Sequence, residues 1–167
     1  MSSFVAGLAT AGAMLSNKPF RRLMAAQFSA VAMTYSLSIV GVLLVEERTH
    51  SSVQAGVVIL SSILPAFVAS LFAGALVDRQ GRVPVLMASY LAQSLIALVF
   101  WGGADSSSTL MWVVVCAVNM GVAVSTQFTL TANLALLPDL VDKSQLLMAN
   151  TLFQVSMVAA EGLGVAL

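Results

Sequence analysis

The sequence predicts an all-α protein that crosses a membrane several times, and three observations lead there. Hydrophobic residues make up 59% of the 167-residue chain and charged residues only 8%, where a soluble domain carries about 25% charged residues. The uncharged stretches are long, and the polar punctuation between them is short. One soluble core of this size could not bury so much apolar surface. Lipid is the solvent that fits this composition.

The first apolar stretch covers residues 20–45 and ends at EERTH; the second covers 53–77 and ends at DRQGR. The third covers 84–102 and ends at GGADSSS, and the fourth covers 110–137 and stops at PDLVDKS. A fifth starts at 145 and is still running at 167. At 1.5 Å per residue, each of the first four can cross a hydrocarbon layer of about 30 Å as a helix. Strands of a membrane barrel would be about ten residues long and alternate in polarity. These runs are longer and do not alternate. The fifth lacks the polar flank that closes the others, so the polypeptide is expected to be incomplete.

Basic residues predict the orientation. Lys18, Arg21 and Arg22 precede the first helix, Arg79 and Arg82 lie between the second and third, and Lys143 lies between the fourth and fifth. Arg48 alone falls on the other side, with Glu46, Glu47, Asp105 and a solvated loop residue, His50. The positive-inside rule then places the N-terminus in the cytoplasm. A multi-pass cell-membrane protein in direct contact with the lipid bilayer is expected. The opening residues lack the basic region of a signal peptide, and residues 1–19 read as a cytoplasmic or interfacial segment.

Several function classes drop out. Net charge is zero and no basic cluster extends beyond Arg21–Arg22, so no nucleic acid is expected as a partner. One histidine, one cysteine and scattered acids cannot build a catalytic triad or a metal cluster. No enzyme activity, metal or cofactor is expected. Cys116, in an apolar run, reads as a small buried hydrophobe.

Within the helices, Ser62, Ala66, Ser70, Gly74 and Asp78 recur every four residues. Small side chains at that spacing let a second backbone approach closely. Pro65 interrupts the backbone donors of the same helix, so a bend is expected near it. The fourth helix is dense in polar side chains. Asn119, Thr126 and Asn133, seven residues apart, share one face and are the main cavity candidates. Gln27, Thr34 and Ser38 form a weaker set on the first helix, with Tyr35 beside it. Glu161 is the one formal charge well inside an apolar run. A carboxylate there is costly unless it is protonated, paired or facing water, so it is the candidate for proton or cation coupling or for a substrate contact, with a helix-packing glutamate or a carboxyl close to a membrane face as the alternative.

GALVDRQGR, residues 74–82, reads as a tight elbow. Gly74 clears space at the helix end and Asp78 can accept hydrogen bonds from loop amides or from a facing helix N-terminus. Gly81 permits the positive φ that a sharp turn needs, and Pro84 suits the first turn of the next helix. Arg79 and Arg82 anchor the interface and can reach Asp139 or Asp142 in the neighbouring loop.

With Gly74, Asp78, Arg79, Gly81 and Arg82 in order, this elbow resembles the signature between helices two and three of the major facilitator superfamily of secondary transporters, with Val83 where a further basic residue usually stands. The resemblance implies the first five helices of a twelve-helix fold, so that residues 20–167 would be an incomplete N-terminal transmembrane half whose partner is the missing C-terminal half. It further implies that the elbow is a conformational latch. Asp78 would hold across to the second half, and Arg79 or Arg82 would pair with Asp139 or Asp142. Residues Pro138, Asp139, Leu140, Val141, Leu146, Ala149 and Asn150 look like the drug and macrolide efflux branch of bacteria, which includes siderophore exporters. A bacterial inner-membrane exporter of small amphipathic or hydrophobic molecules, driven by protons through alternating access, is therefore expected. Uptake or flipping of another solute, such as a nutrient or lysolipid, is the alternative. A fragment that packs without transporting is the third reading.

Overall fold

In a computed structural model, residues 12, 14, 16–103 and 107–166 are described; Asp105, Leu167 and most of the expected N-terminal segment lie outside them. Five long helices follow in order: α1 (Lys18–Thr49), α2 (Ser52–Gln80), α3 (Arg82–Gly103), α4 (Ser108–Leu140) and α5 (Leu146–Ala166). A single 3-10 turn, Lys143–Gln145, leads into α5. All five helices are long and apolar enough to cross a membrane.

The first four helices run beyond their apolar stretches at both ends. Hydropathy marks the hydrocarbon layer, whereas backbone hydrogen bonding continues into the polar interface. Thus α1 carries Glu46, Glu47 and Arg48 in its last turn and ends at His50, whose φ of 48° caps it through an N–H bond of 2.8 Å to the Glu46 carbonyl. The expected stop before Pro138 is not observed, because α4 continues to Leu140. Pro138 removes one backbone donor, but it is exposed at the polar end, where water can satisfy the carbonyl left unpaired. α2 likewise remains helical through Pro65.

α4 is the hub of the bundle, packing broadly on α2 and α3 and less on α1. α5 rests on α1 and barely meets α4. At the end that carries most of the basic residues, Leu23, Val77, Val85, Leu86 and Ala132 form one apolar cluster, and Phe20, Leu137 and Ala149 form another with Met14. Val45, Val58, Phe100, Met111 and Val115 close the opposite end. Along the α1–α5 seam, Val31 and Ala32 pack on Ala160. There any side chain at Gly164 would run into the Ala32 carbonyl, and the Ser36 hydroxyl donates to the Gly164 carbonyl at 2.9 Å. Small residues give this close approach in lipid, where no hydrophobic effect drives helices together.

The outer faces are apolar. Leu71, Phe72, Leu98 and Trp101 are all exposed, as side chains that meet acyl chains should be. The small-residue stripe of α2 is not buried by this chain as a packing seam would be. Ser70, Gly74 and Asp78 are exposed, and nothing lies within 4 Å of the position a Cβ would take at Gly74. Its four-residue period turns the lower part of the stripe away from α1 and α4, the helices that α2 packs on.

Candidate functional site

Polar side chains from α1, α3 and α4 converge in the bundle interior. Gln27 (α1) is 2% exposed and Asn133 (α4) 0%. The Asn133 amide donates to Gln27 Oε1, and the Tyr90 hydroxyl of α3 donates to the same oxygen at 3.3 Å. Asn133 Nδ2 also lies 3.3 Å from that hydroxyl, closing a triad across three helices. Asn133 was expected to line a cavity with Asn119 and Thr126, but it lines neither of the two cavities described below. Gln27 and Tyr90 cover it instead, because an amide buried in lipid is costly without partners.

One helical turn further along α3, Gln93 Nε2 lies 3.4 Å from both Thr126 Oγ1 and Thr129 Oγ1. Thr129 spends its own hydroxyl proton on the Ser125 carbonyl at 2.9 Å. Its oxygen must therefore accept, which fixes the Gln93 amide with nitrogen toward the threonines. Gln93 Oε1 is then left buried without a partner, as is Asn133 Oδ1. Asn119 is satisfied differently: it accepts from Ser38 of α1 at 3.1 Å and donates to the Val115 carbonyl at 3.1 Å.

Two cavities flank this polar line near mid-helix. A cleft of about 330 Å³ lies between α1, α2 and α4, where Thr34, Tyr35, Asn119 and Thr126 face the apolar Ile63 and Val122. A narrower recess of about 90 Å³ lies between α1, α3, α4 and α5, bordered by Gln27, Gln93, Thr129 and Glu161. Thr34, Tyr35 and Thr126 border both, so the two adjoin. Glu161 interacts with the Tyr35 side chain. Of the sequence candidates, Gln27, Thr34, Asn119, Thr126 and Glu161 thus meet around the two cavities. Tyr90 and Gln93 were missed by the sequence reading. The spacing of Ser89 and Gln93, four apart on one face of α3 and both buried, was the available signal.

The elbow forms a separate group at the basic end. A single residue, Gly81, joins α2 to α3, with φ 91° and ψ 153°, and its N–H bonds the Val77 carbonyl at 3.0 Å. That region of backbone space is reserved for glycine. Pro84 falls in the first turn of α3. Arg82 Nη1 pairs with Asp139 Oδ2 at the end of α4. Asp78, Arg79 and Asp142 are exposed and show no side-chain partner among the described residues. Asn17 Nδ2 reaches the Leu140 carbonyl at 2.9 Å and ties the start of α1 to the same corner.

Five long apolar helices around a polar-lined interior cleft define a multi-pass membrane protein. The family model of the Major Facilitator Superfamily matches residues 23–167, and the chain belongs to that family. No curated protein and no solved structure matches it. Membership places the chain among secondary transporters rather than enzymes. Among the described residues, no group of three or more His, Cys, Asp or Glu could hold a metal ion.

Proposed function

We propose that the chain is the N-terminal part of a proton-coupled exporter of small amphipathic or hydrophobic compounds. The mid-membrane cleft is the observation that carries this reading. Its size falls within the range of about 300–1,000 Å³ common for small-molecule sites. Threonine, tyrosine and asparagine provide the few polar contacts, and Ile63, Ala66 and Val122 provide the apolar walls. In alternating access, a second helical half would supply the opposite wall and rock against this one.

The coupling group is Glu161. It borders the recess next to the cleft, and no arginine lies within α4 nor any acid between residues 23 and 45 to take its place. The elbow acts as the latch. Arg82 and Asp139 hold α3 to α4 at the basic end, while Asp78 remains available for the second half. The drug and macrolide efflux pattern at residues 138–150 supports outward direction and a bacterial inner membrane.

The test is accumulation of lipophilic fluorescent compounds in cells with and without the complete gene, with the proton gradient intact or collapsed. Lower accumulation that depends on both gene and gradient is expected. Higher accumulation with the gene present overturns export in favour of uptake. Glu161→Gln should abolish the gradient dependence, and unchanged dependence removes Glu161 as the coupling group.

A further inference from the structure

α4 and α5 follow one another through a short connection, residues 141–145, yet they barely meet. Elements joined by so short a link usually pack together. Two clefts lie at the basic end of this pair. One, of about 210 Å³, is bordered by Leu134, Leu137 and Pro138 of α4 and by Leu146 and Asn150 of α5. The other, of about 240 Å³, borders the connection and reaches Asn17, Asp139 and Gln145. Beside them, the space between the two helices is filled from elsewhere in the chain. Met14, upstream of α1, is 2% exposed and packs in one cluster with Phe20, Leu137 of α4 and Ala149 of α5. Val141, Met148 and Leu152 pack against the same cluster. Methionine, unbranched and adaptable, suits an irregular gap of this kind.

Asn17 adds a bond to the same corner. It stands at the N-cap of α1, where an asparagine side chain ordinarily accepts from the first N–H groups of its own helix. It makes no such bond. Its Nδ2 donates instead to the carbonyl of Leu140, the last residue of α4, at 2.9 Å, a group with no partner inside its own helix. Its backbone N–H bonds the Met14 carbonyl, and its own carbonyl accepts from Arg21, both at 3.0 Å. One tight turn therefore sets Met14 and Asn17 together against the ends of α4 and α5. α1 forgoes its cap, and α4 gains one.

We propose that Met14 and Asn17 are a clip that fastens the basic end of α5 to α4, and that releasing it opens the α4–α5 seam to water from that end. The clip is independent of cargo, direction and coupling, because it depends on packing alone. Met14 touches a cluster drawn from both helices while the helices hardly touch each other. Leu137 and Ala149 therefore stay covered only while Met14 is seated, and the seam opens locally when it leaves.

The test is the rate at which a maleimide labels a cysteine at position 149 (Ala149→Cys) of the full protein, with Cys116→Ser and any other cysteine removed. Permeabilised membranes present both faces, so the result does not depend on orientation. Ala149 is fully buried, and slow labelling is expected while the clip is intact. Met14→Ala should raise the rate about tenfold, since truncating a buried methionine costs at least the free energy of that factor. Met14→Leu keeps the volume and should stay within about twofold of the unsubstituted clip. Asn17→Ala removes one bond and should raise the rate about threefold. The reference is a cysteine at position 132 (Ala132→Cys), buried in the neighbouring cluster with Val77 and Val85, whose labelling should not change. Equal labelling at position 149 with and without Met14→Ala overturns the proposal. So does a matching rise at positions 149 and 132, because Met14 would then support the whole fold and not this seam. Should Met14→Ala fail to reach the membrane, Asn17→Ala decides by the same comparison: a rise confined to position 149 supports the clip, and no rise overturns it.

Discussion

Two polar contacts in this protein look alike on paper and differ in what they are worth. Arg82 and Asp139 are 44% and 56% exposed, so their pair is solvated and contributes about 0–1 kcal/mol to stability. A double-mutant cycle of Arg82→Ala and Asp139→Ala, measured by unfolding in mixed micelles, should return a coupling in that range. Transport by the full protein should fall more than stability does, and a charge swap at the two positions should recover part of it. For Asp78→Asn, lower transport with normal membrane insertion is expected; full activity counts against the latch. Asn133 is the opposite case. It is fully buried and bonded to Gln27 and Tyr90, and Asn133→Leu removes both bonds, leaving those two side chains only their mutual bond of 3.3 Å. A loss of about 1–3 kcal/mol is expected in the same unfolding assay. Sequence alone ranked Asn133 with Asn119 and Thr126 because all three share a seven-residue spacing. Spacing reports a helix face, and it cannot report which neighbour covers that face. Tyr90 and Gln93 were invisible for a related reason, since a lone tyrosine or glutamine in an apolar helix has the same profile whether it faces lipid or a partner.

At the scale of elements, the spans were legible because charge is excluded from hydrocarbon, and the ends were not because helices outlast their apolar stretch. The elbow was readable down to one residue. Gly81 sits at φ 91°, and Gly81→Val should destabilise the protein by about 1–3 kcal/mol through backbone strain. Gly81→Ala should show nearly the same cost, since the strain comes from any Cβ; tolerance of both would show that α2 and α3 can be rejoined differently. The α1–α5 seam was not read from sequence, although Gly164 and Ala160 are small and four apart. In a Cys116→Ser background, Ala32→Cys and Ala160→Cys should form a disulfide across that seam. Gly164→Leu should abolish the cross-link by forcing the backbones apart, and an undiminished yield would mean that the helices do not cross there.

For the whole molecule, the distribution of basic residues predicts its sidedness. With Cys116 replaced by serine, His50→Cys should react with a membrane-impermeant maleimide added outside intact cells, and Gln80→Cys only after permeabilisation. The reverse pattern would invert the orientation. What the sequence could not convey was the ranking of the helices: α4 is the hub although its apolar stretch resembles the others, because centrality is set by how extensively a helix packs on its neighbours. Nor could it show that Ser70, Gly74 and Asp78 on α2 are left exposed by the described residues. The unequal grip on α5 has a mechanical consequence. α5 is clasped by α1 and barely meets α4, and α1 is in turn pinned to α3 and α4 by the bonds among Gln27, Tyr90 and Asn133. Glu161 on α5 is therefore carried by the rest of the bundle through α1, as an outrigger is carried by its strut.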